Sequence, residues 1–395
     1  MPGTHAKLSA SGAALWSACP GSVHMREQFP EKGSSVAAQE GTIAHALGAY
    51  YIEHIDRNYD DKGKALYEDA VDFYENHPDL EGSAKLMDDY MHDYADFVWK
   101  EYTKARGADD TAEVSTEQKV DFSKYVPGGF GTSDVIITYG DTIEIVDLKY
   151  GKGVPVNAVN NPQIRLYAIG SLDLFDGFYD FKQVKMVIYQ PRLESVTDEV
   201  MSVEDLLKWA DDFIKPAAKK ALAKKKEYHP GPWCTSKFCP GAAVCKKRAE
   251  YLLELNKYDD DPALLSRDEI GAALQKAEEL SDWMKKLKDF TMHELESGNK
   301  VPGWKIVAGR SVRKYTDEDK VAAALEKAGY EKATLYKAPE LLGITAMYKL
   351  IGKKDFETLL TDNGLVEKPE GKPTLAPDSD SRPELVKIKP DDFDE

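Results

Sequence analysis

Asp134, Asp147 and Lys149 are the side chains whose types and spacing could most directly do chemistry together in this sequence. The stretch IEIVDLKYGKG, residues 143–153, reads as a strand: Ile143, Ile145 and Val146 are β-branched, and Ile143 and Ile145 alternate around Glu144. Where its apolar run ends, Asp147 and Lys149 stand two apart, so on a strand they share a face. Asp134 lies in GTSDVII, at the start of another strand-like run, 147 − 134 = 13 residues earlier. The YGDT turn between the runs is a hairpin connection that can bring both carboxylates to one edge. Two close carboxylates repel, and a divalent cation relieves that repulsion. Hard oxygen ligands with open water positions suit Mg²⁺ or Mn²⁺. An ammonium on the same face can stabilise charge on a phosphate or orient an attacking water. Taken alone, D-x-K is more often a surface ion pair at a strand end.

The neighbours sharpen this reading. Gln163 and Tyr167 are four apart and share one face of the next helical segment, NNPQIRLYAIGSLDLF. His45 sits in EGTIAH on an upstream helical stretch. Singly, a packed histidine and an amphipathic helix surface explain them as well. The ordered set carries more: His45, then Gly131 with Asp134, then Asp147-Leu148-Lys149, then Gln163 with Tyr167.

In that order these residues resemble the RecB-like branch of the PD-(D/E)XK nucleases. That branch has a helical histidine, a G-x-x-D, a D-x-K and a Q-x-x-x-Y. The resemblance covers roughly residues 9–250, with Ser133 where the general signature has proline. It implies an α/β (α+β) fold: a restriction-endonuclease-like core, a mixed central sheet flanked by helices, and here a mainly helical C-terminal region. It implies that His45, Asp134, Asp147 and the Leu148 carbonyl ligate Mg²⁺ or Mn²⁺. Lys149 would be the catalytic lysine, and Gln163 and Tyr167 would position the active site or the DNA strand. A phage-encoded family of such nucleases is a closer, weaker match. It implies DNA as partner, with a phage recombination or single-strand-annealing protein as a second.

All four cysteines invite one site: Cys19, remote, and the trio Cys234, Cys239 and Cys245. Four thiolates can hold zinc or an iron–sulfur cluster, and spacing alone does not separate these. One ligand before the core and three after it resembles the iron–sulfur staple of AddB-type and CRISPR-associated RecB-like nucleases, which implies a [4Fe–4S] cluster, with zinc as runner-up. The first interval of the trio is four residues here, where such trios commonly have two.

The remaining features bound these readings. With 395 residues, 42% hydrophobic and 31% charged, the chain has the composition of a globular protein with a sizeable core. No run is long and apolar enough for a transmembrane helix, and the N-terminus lacks a clean signal-peptide pattern, so a cytoplasmic location is expected. A net charge of −17 argues against indiscriminate nucleic-acid binding but leaves room for a local basic groove, for which KPAAKKALAKKK, residues 215–226, is a candidate. The expected organisation is a nuclease domain over 1–258, a mainly helical accessory region over 262–361, and an extended acidic, proline-containing tail over 362–395. Within the accessory region, two helices over 266–298, the strand-like WKIVAGRSVRKY and two helical stretches to about 361 are expected. The alternatives to a DNA nuclease, exonucleolytic or acting on single strands, are a catalytically inactive nuclease-fold protein that binds DNA or a partner, and a zinc-stapled interaction module.

Overall fold

The computed structural model describes residues 6–30, 33–54, 60–253, 267–306, 320, 327 and 341–367. Two short helices, α1 (Ala13–Ala18) and α2 (Ser22–Gln28), precede three longer ones: α3 (Val36–Glu53), α4 (Asp61–Asn76) and α5 (Ala84–Ala108). Each long helix begins at a side-chain cap that satisfies free N–H groups of its first turn: Ser35 for Ala38, Asp60 for Lys62 and Gly63, Ser83 for Leu86. The acidic, aromatic stretch 62–106 divides at His77, just before Pro78, which has no N–H to continue a helix.

Five strands follow: β1 (Glu113–Asp121), β2 (Phe130–Tyr139), β3 (Thr142–Leu148), β4 (Gln183–Gln190) and β5 (Ser195–Ser202), with α6 (Pro162–Leu174) between β3 and β4. They form one sheet in chain order. β3 and β4 run parallel and the other neighbours antiparallel, so α6 is the crossover. The YGDT hairpin is present, with Tyr139 opposite Thr142 and Gly140 at φ 51°, a turn conformation glycine adopts without strain. Then come α7 (Val203–Trp209), α8 (Lys215–Leu222), α9 (Trp233–Ser236), α10 (Lys246–Leu253), α11 (Arg267–Glu296), α12 (Ile344–Ile351) and α13 (Lys353–Phe356). The architecture is α/β, a mixed sheet flanked by helices, as expected.

Each face of the sheet has its own core. On one, α6 with α1, α7 and α8 buries Trp16, Val120, Ile136, Ile145, Ile164, Ile214 and Ala218. On the other, α3–α5 bury Leu47, Met87, Met91, Val98, Val135, Ile137, Val146 and Leu148. All seven residues of β3 are buried, because it is covered on both faces. Even Glu144 is enclosed, paired with Lys185 at 3.0 Å. Among the described residues no helix is long and apolar enough to cross a membrane.

The structure departs from the sequence reading in four places. β5 was not expected, because its alternation is inverted: Val196 and Val200 face solvent, while Thr197 accepts the Ala158 N–H and Glu199 clamps Arg165 with two hydrogen bonds. Residues 266–298 hold one long helix, α11, rather than two. A π-helical turn, Ala210–Ile214, just before Pro216 was not expected either. Residues 304–306 of the strand-like WKIVAGRSVRKY are not in a strand, and 307–315 lie outside the described residues, as does the tail from 368. The helical stretches near 361 are α12, α13 and a π-helical turn, Glu357–Thr361. They dock on α5, where the Lys353 N–H donates to Asp89 at 2.8 Å and its ammonium pairs with Asp93.

Gly170 sets how closely α6 approaches the sheet. A Cβ there would lie 2.8 Å from the Val120 Cβ and 3.2 Å from the Asp121 backbone. We expect Gly170→Ala to cost ~1–3 kcal/mol by overpacking, read as a lower Tm in a thermal melt. A melting curve unchanged by Gly170→Ala would show that the close approach is not a constraint.

Candidate metal centre and catalytic site

The site forms where both ladders of β2 open. Thr116 pairs with Val135 and Gln118 with Ser133, so Glu117 stands opposite Asp134, yet these two do not pair. On the other side the β2–β3 ladder stops at Val135 and Val146, leaving Asp134 next to Asp147. There the Leu148 N–H donates at 2.7 Å to Asp134 Oδ2. Glu117 has φ 49°, a strained conformation for a side-chain-bearing residue in mid-strand.

This kink changes which way alternate residues point. Val114 packs with the α3–α5 core, whereas Val120, of the same parity, joins the α6 core. On β2, Val135 and Ile137 face α3–α5, while Gly131 lies under the ring of Tyr167 from α6. Groups from both layers therefore converge beside Asp134. His45 from α3 places Nδ1 at 3.3 Å from Asp134 Oδ1. Lys149, just past β3, places Nζ at 2.6 Å from Asp147 Oδ2. On α6, capped by Asn161 and opened by Pro162, Gln163 Nε2 donates to the Tyr167 hydroxyl at 3.3 Å. The motif glycine has a physical reason: a Cβ at Gly131 would stand 2.8 Å from the Tyr167 ring. All the side chains singled out from sequence for this site thus lie at one end of the sheet.

Burial and mutual charge set the electrostatics. Asp147 is 2% exposed. Burial pushes its carboxyl up, and the Lys149 ammonium only partly offsets that. Burial would raise Asp134 too, but the His45 imidazole, Lys149 and the Leu148 N–H outweigh it and hold the carboxyl low. His45 is raised, since the pull of Asp134 exceeds the effect of burial. Asp147 Oδ2 meets Lys149 at an angle that leaves it without a directed hydrogen bond. Tyr94, buried on α5, has no partner for its hydroxyl, which burial and then the charges of Asp134, Asp147 and Glu117 hold protonated. Buried carboxylates with an unpartnered hydroxyl within reach of their charge fit a site that receives a cation.

Sequence reasoning missed Glu117 and Tyr94. Among the described residues, His45, Glu117 and Asp134 form a group whose ligand atoms lie within 4.8 Å of one another. Loss of water and the charge of Asp134 push the Glu117 carboxyl up to about 7. In sequence Glu117 is an ordinary polar residue of an amphipathic strand, and Tyr94 falls on the core stripe of α5 with Met87, Met91 and Val98. Only the kink and the convergence of the two layers reveal them.

At the other end of the chain order, Cys19 follows α1 and the trio surrounds α9. The Gly21 N–H donates to Glu227 O at 2.7 Å, and the His229 N–H lies 3.4 Å from Cys19 Sγ. These contacts bring Cys19 within electrostatic reach of Cys234 and Cys245. All four thiols are free, and burial raises those of Cys19, Cys234 and Cys239. Arg248, 2% exposed, donates only to neutral oxygens, Ala242 O at 3.2 Å and Thr235 Oγ1 at 2.7 Å, and influences Cys234.

An ionised Asp147 costs the fold stability when no cation is present, because its folded carboxyl is raised. Asp147→Asn should therefore hold or raise the Tm in EDTA. It should also shrink the Tm rise that Mn²⁺ gives the parent protein. A variant that melts lower in EDTA and gains as much from Mn²⁺ as the parent would refute this account.

Two clefts of about 260 and 700 Å³ open elsewhere on the described surface, and none of the site residues lines either. A solved structure of a candidate exonuclease from Eubacterium rectale is 11% identical at a TM-score of 0.32, covering 67% of this chain and 92% of that one. A second, of a protein named SSO0001, is 13% identical at 0.22, covering 58% of this chain and 95% of that one. Both likenesses are too slight to carry an argument. A family model described as "Protein of unknown function (DUF2800)" matches residues 5–383, nearly the whole length, and the chain belongs to that family.

Proposed function

We propose that the protein is a Mg²⁺- or Mn²⁺-dependent deoxyribonuclease that hydrolyses phosphodiester bonds. The reading rests on one observation: two adjoining buried carboxylates, Asp134 and Asp147, with His45 on one and Lys149 on the other. In this reading His45, Asp134, Asp147 and the Leu148 carbonyl hold the cation. The bound ion would supply a water of lowered pKa and neutralise phosphate charge. Lys149 keeps a compact positive charge beside the scissile phosphate, where negative charge grows in the transition state. Gln163, bonded to Tyr167, fixes the α6 face over Gly131 and orients the strand to be cut. Exonucleolytic cleavage in recombination, repair or phage DNA processing is the expected mode, in a cytoplasmic setting. A phage recombination or single-strand-annealing protein remains the second partner.

For Cys19, Cys234, Cys239 and Cys245 the donor set fits an anionic thiolate centre. Arg248 is a buried cation with no carboxylate ion pair among the described residues, and thiolates would supply its counter-charge. A tetrahedral zinc with Zn–S of ~2.3 Å holds sulfurs ~3.8 Å apart. No three of these sulfurs, among the described residues, form a group that close. A [4Fe–4S] cluster spreads its thiolates wider and is the favoured occupant.

The test of the nuclease reading is incubation with linear and circular DNA in Mg²⁺, Mn²⁺ or EDTA. We expect cleavage that needs the metal, and a loss of at least ~10²-fold in Asp134→Ala, Asp147→Ala and Lys149→Ala. Lys149→Arg should also be poor, since a planar fork does not replace a point charge. A parent inert on all DNAs with every metal, or Asp147→Ala at full rate, overturns the assignment.

The cysteine reading has a separate readout. Anaerobically purified protein should be brown, absorb near ~400 nm and contain iron. Cys19→Ser should bleach it and lower the Tm, because the remote ligand closes the chain. One zinc and no iron removes the cluster; a Cys19→Ser protein with unchanged metal content removes the staple.

A further inference from the structure

The chain that follows Lys149 leaves the sheet with little to pack it. Residues 151–154, GKGV, are exposed, and two of the four are glycines. Apolar burial therefore offers little to fix this segment, and hydrogen bonds from the end of β4 hold it instead. Gln190, 2% exposed, commits its whole side chain to the task. Its Nε2 donates to Gly151 O and to Val154 O, each at 2.9 Å, and its Oε1 accepts the Val156 N–H at 3.0 Å. Just before the segment, the Lys149 N–H donates to Tyr189 O at 2.8 Å, on the same strand as Gln190.

Two residues on, Arg192 ties further pieces together. Its guanidinium donates to Glu40 Oε1 at 2.9 Å and to Glu81 O at 3.2 Å, and stands 5.1 Å from the centre of the Tyr150 ring. Glu40 Oε1 also accepts the Tyr74 hydroxyl at 2.7 Å. Tyr150 directly follows Lys149, and Glu40 lies on α3, five residues before His45. One fork thus joins the helix that carries His45 to the chain beside Lys149. The Arg192 and Glu40 side chains are each only 10% exposed. A buried ion pair often adds little net stability over apolar side chains of similar volume, but its directed bonds specify one geometry.

We propose that Gln190 and Arg192 are positioning residues: they hold Lys149 and His45 at their places beside the two carboxylates without touching the cation or the phosphate. The purpose rests on the nuclease reading, whereas the contacts do not. Loss of such supporting bonds typically costs ~10–100-fold in metal affinity or rate.

The test separates geometry from stability. Arg192→Lys keeps the charge and loses the fork. Glu40→Gln loses the charge and keeps the oxygen that accepts both bonds. The full chain is compared by Tm, by Mn²⁺ affinity without DNA in titration calorimetry, and by kcat and KM on a linear oligonucleotide at saturating Mn²⁺. Arg192→Lys should lose at least ~10-fold in Mn²⁺ affinity and in kcat, with little change in KM. Glu40→Gln should melt lower by at least as much, yet recover most of the affinity and rate that Glu40→Ala loses. Ser202→Ala, which removes the cap of α7, should lower the Tm and leave affinity and rate at parent values. In EDTA the Lys149 amide should exchange at least ~10-fold faster in Gln190→Met than in the parent. Affinity and kcat that simply follow Tm across the variants, or Arg192→Lys and Gln190→Met proteins indistinguishable from the parent, overturn the positioning role. A parent that binds Mn²⁺ but cuts no DNA overturns the nuclease reading instead, and Mn²⁺ affinity and amide exchange then decide the positioning role by themselves.

Discussion

Two carboxylates buried side by side need counter-charge, and that need organises this protein. Asp134 and Asp147 sit where water is largely excluded, so neither can stay ionised by solvation alone. Lys149 answers one and His45 the other, but at neutral pH the balance remains negative once Glu117 is counted. Asp134 also accepts the N–H that β3 would otherwise give to a neighbouring strand. A single side chain thereby ends one ladder, and its neighbour Glu117, through a strained φ, interrupts the other. The sheet gives up backbone pairing at the point where charge accumulates.

Convergence of the two layers follows from the same kink. In an unbroken sheet, residues reaching in from α3 and α5 could not meet residues from α6, because the sheet stands between them. At Glu117 and Asp134 the alternation switches faces, so His45 and Tyr94 from one layer approach the carboxylates that Tyr167 approaches from the other. Gly131 completes the arrangement by leaving room for the Tyr167 ring. The close fit of α6 at Gly170 fixes the height of that helix over β1 and so the reach of Gln163 and Tyr167.

The parts of this design written in local sequence were legible there. The β-branched run ending in Asp147 and Lys149, the YGDT turn and the four-residue step from Gln163 to Tyr167 each follow from strand or helix periodicity. The co-occurrence of His45 with them carried the resemblance. What periodicity does not encode stayed hidden. Glu117 reads as a solvent-facing strand residue because nothing local announces its backbone conformation. Tyr94 reads as core. β5 conceals itself by turning its valines outward and its Thr197 and Glu199 inward, where they hold Ala158 and Arg165 rather than apolar surface. The unbroken α11 depends on packing, which single-sequence spacing cannot weigh.

The cysteines pose the same electrostatic problem in reverse. At the catalytic end, anions wait for a cation; beneath α11, a buried cation waits for anions. Arg248 donates to neutral acceptors among the described residues, with the Glu279 carboxylate within its electrostatic reach, and Lys286 from α11 is pushed down, first by burial and then by Arg248, with Asp282 and then Cys239 and Cys234 pulling it the other way. Thiolates bound to a metal centre would add counter-charge to that supplied by Glu279 and Asp282. Since Lys286 belongs to α11, whose Trp283 donates to Ala243 O at 2.9 Å, the charge of that centre bears on how α11 is held. The segment that follows the sheet and the residue that precedes it are thus tied through one electrostatic demand, and in the proposed reading loss of a bound centre would loosen both together.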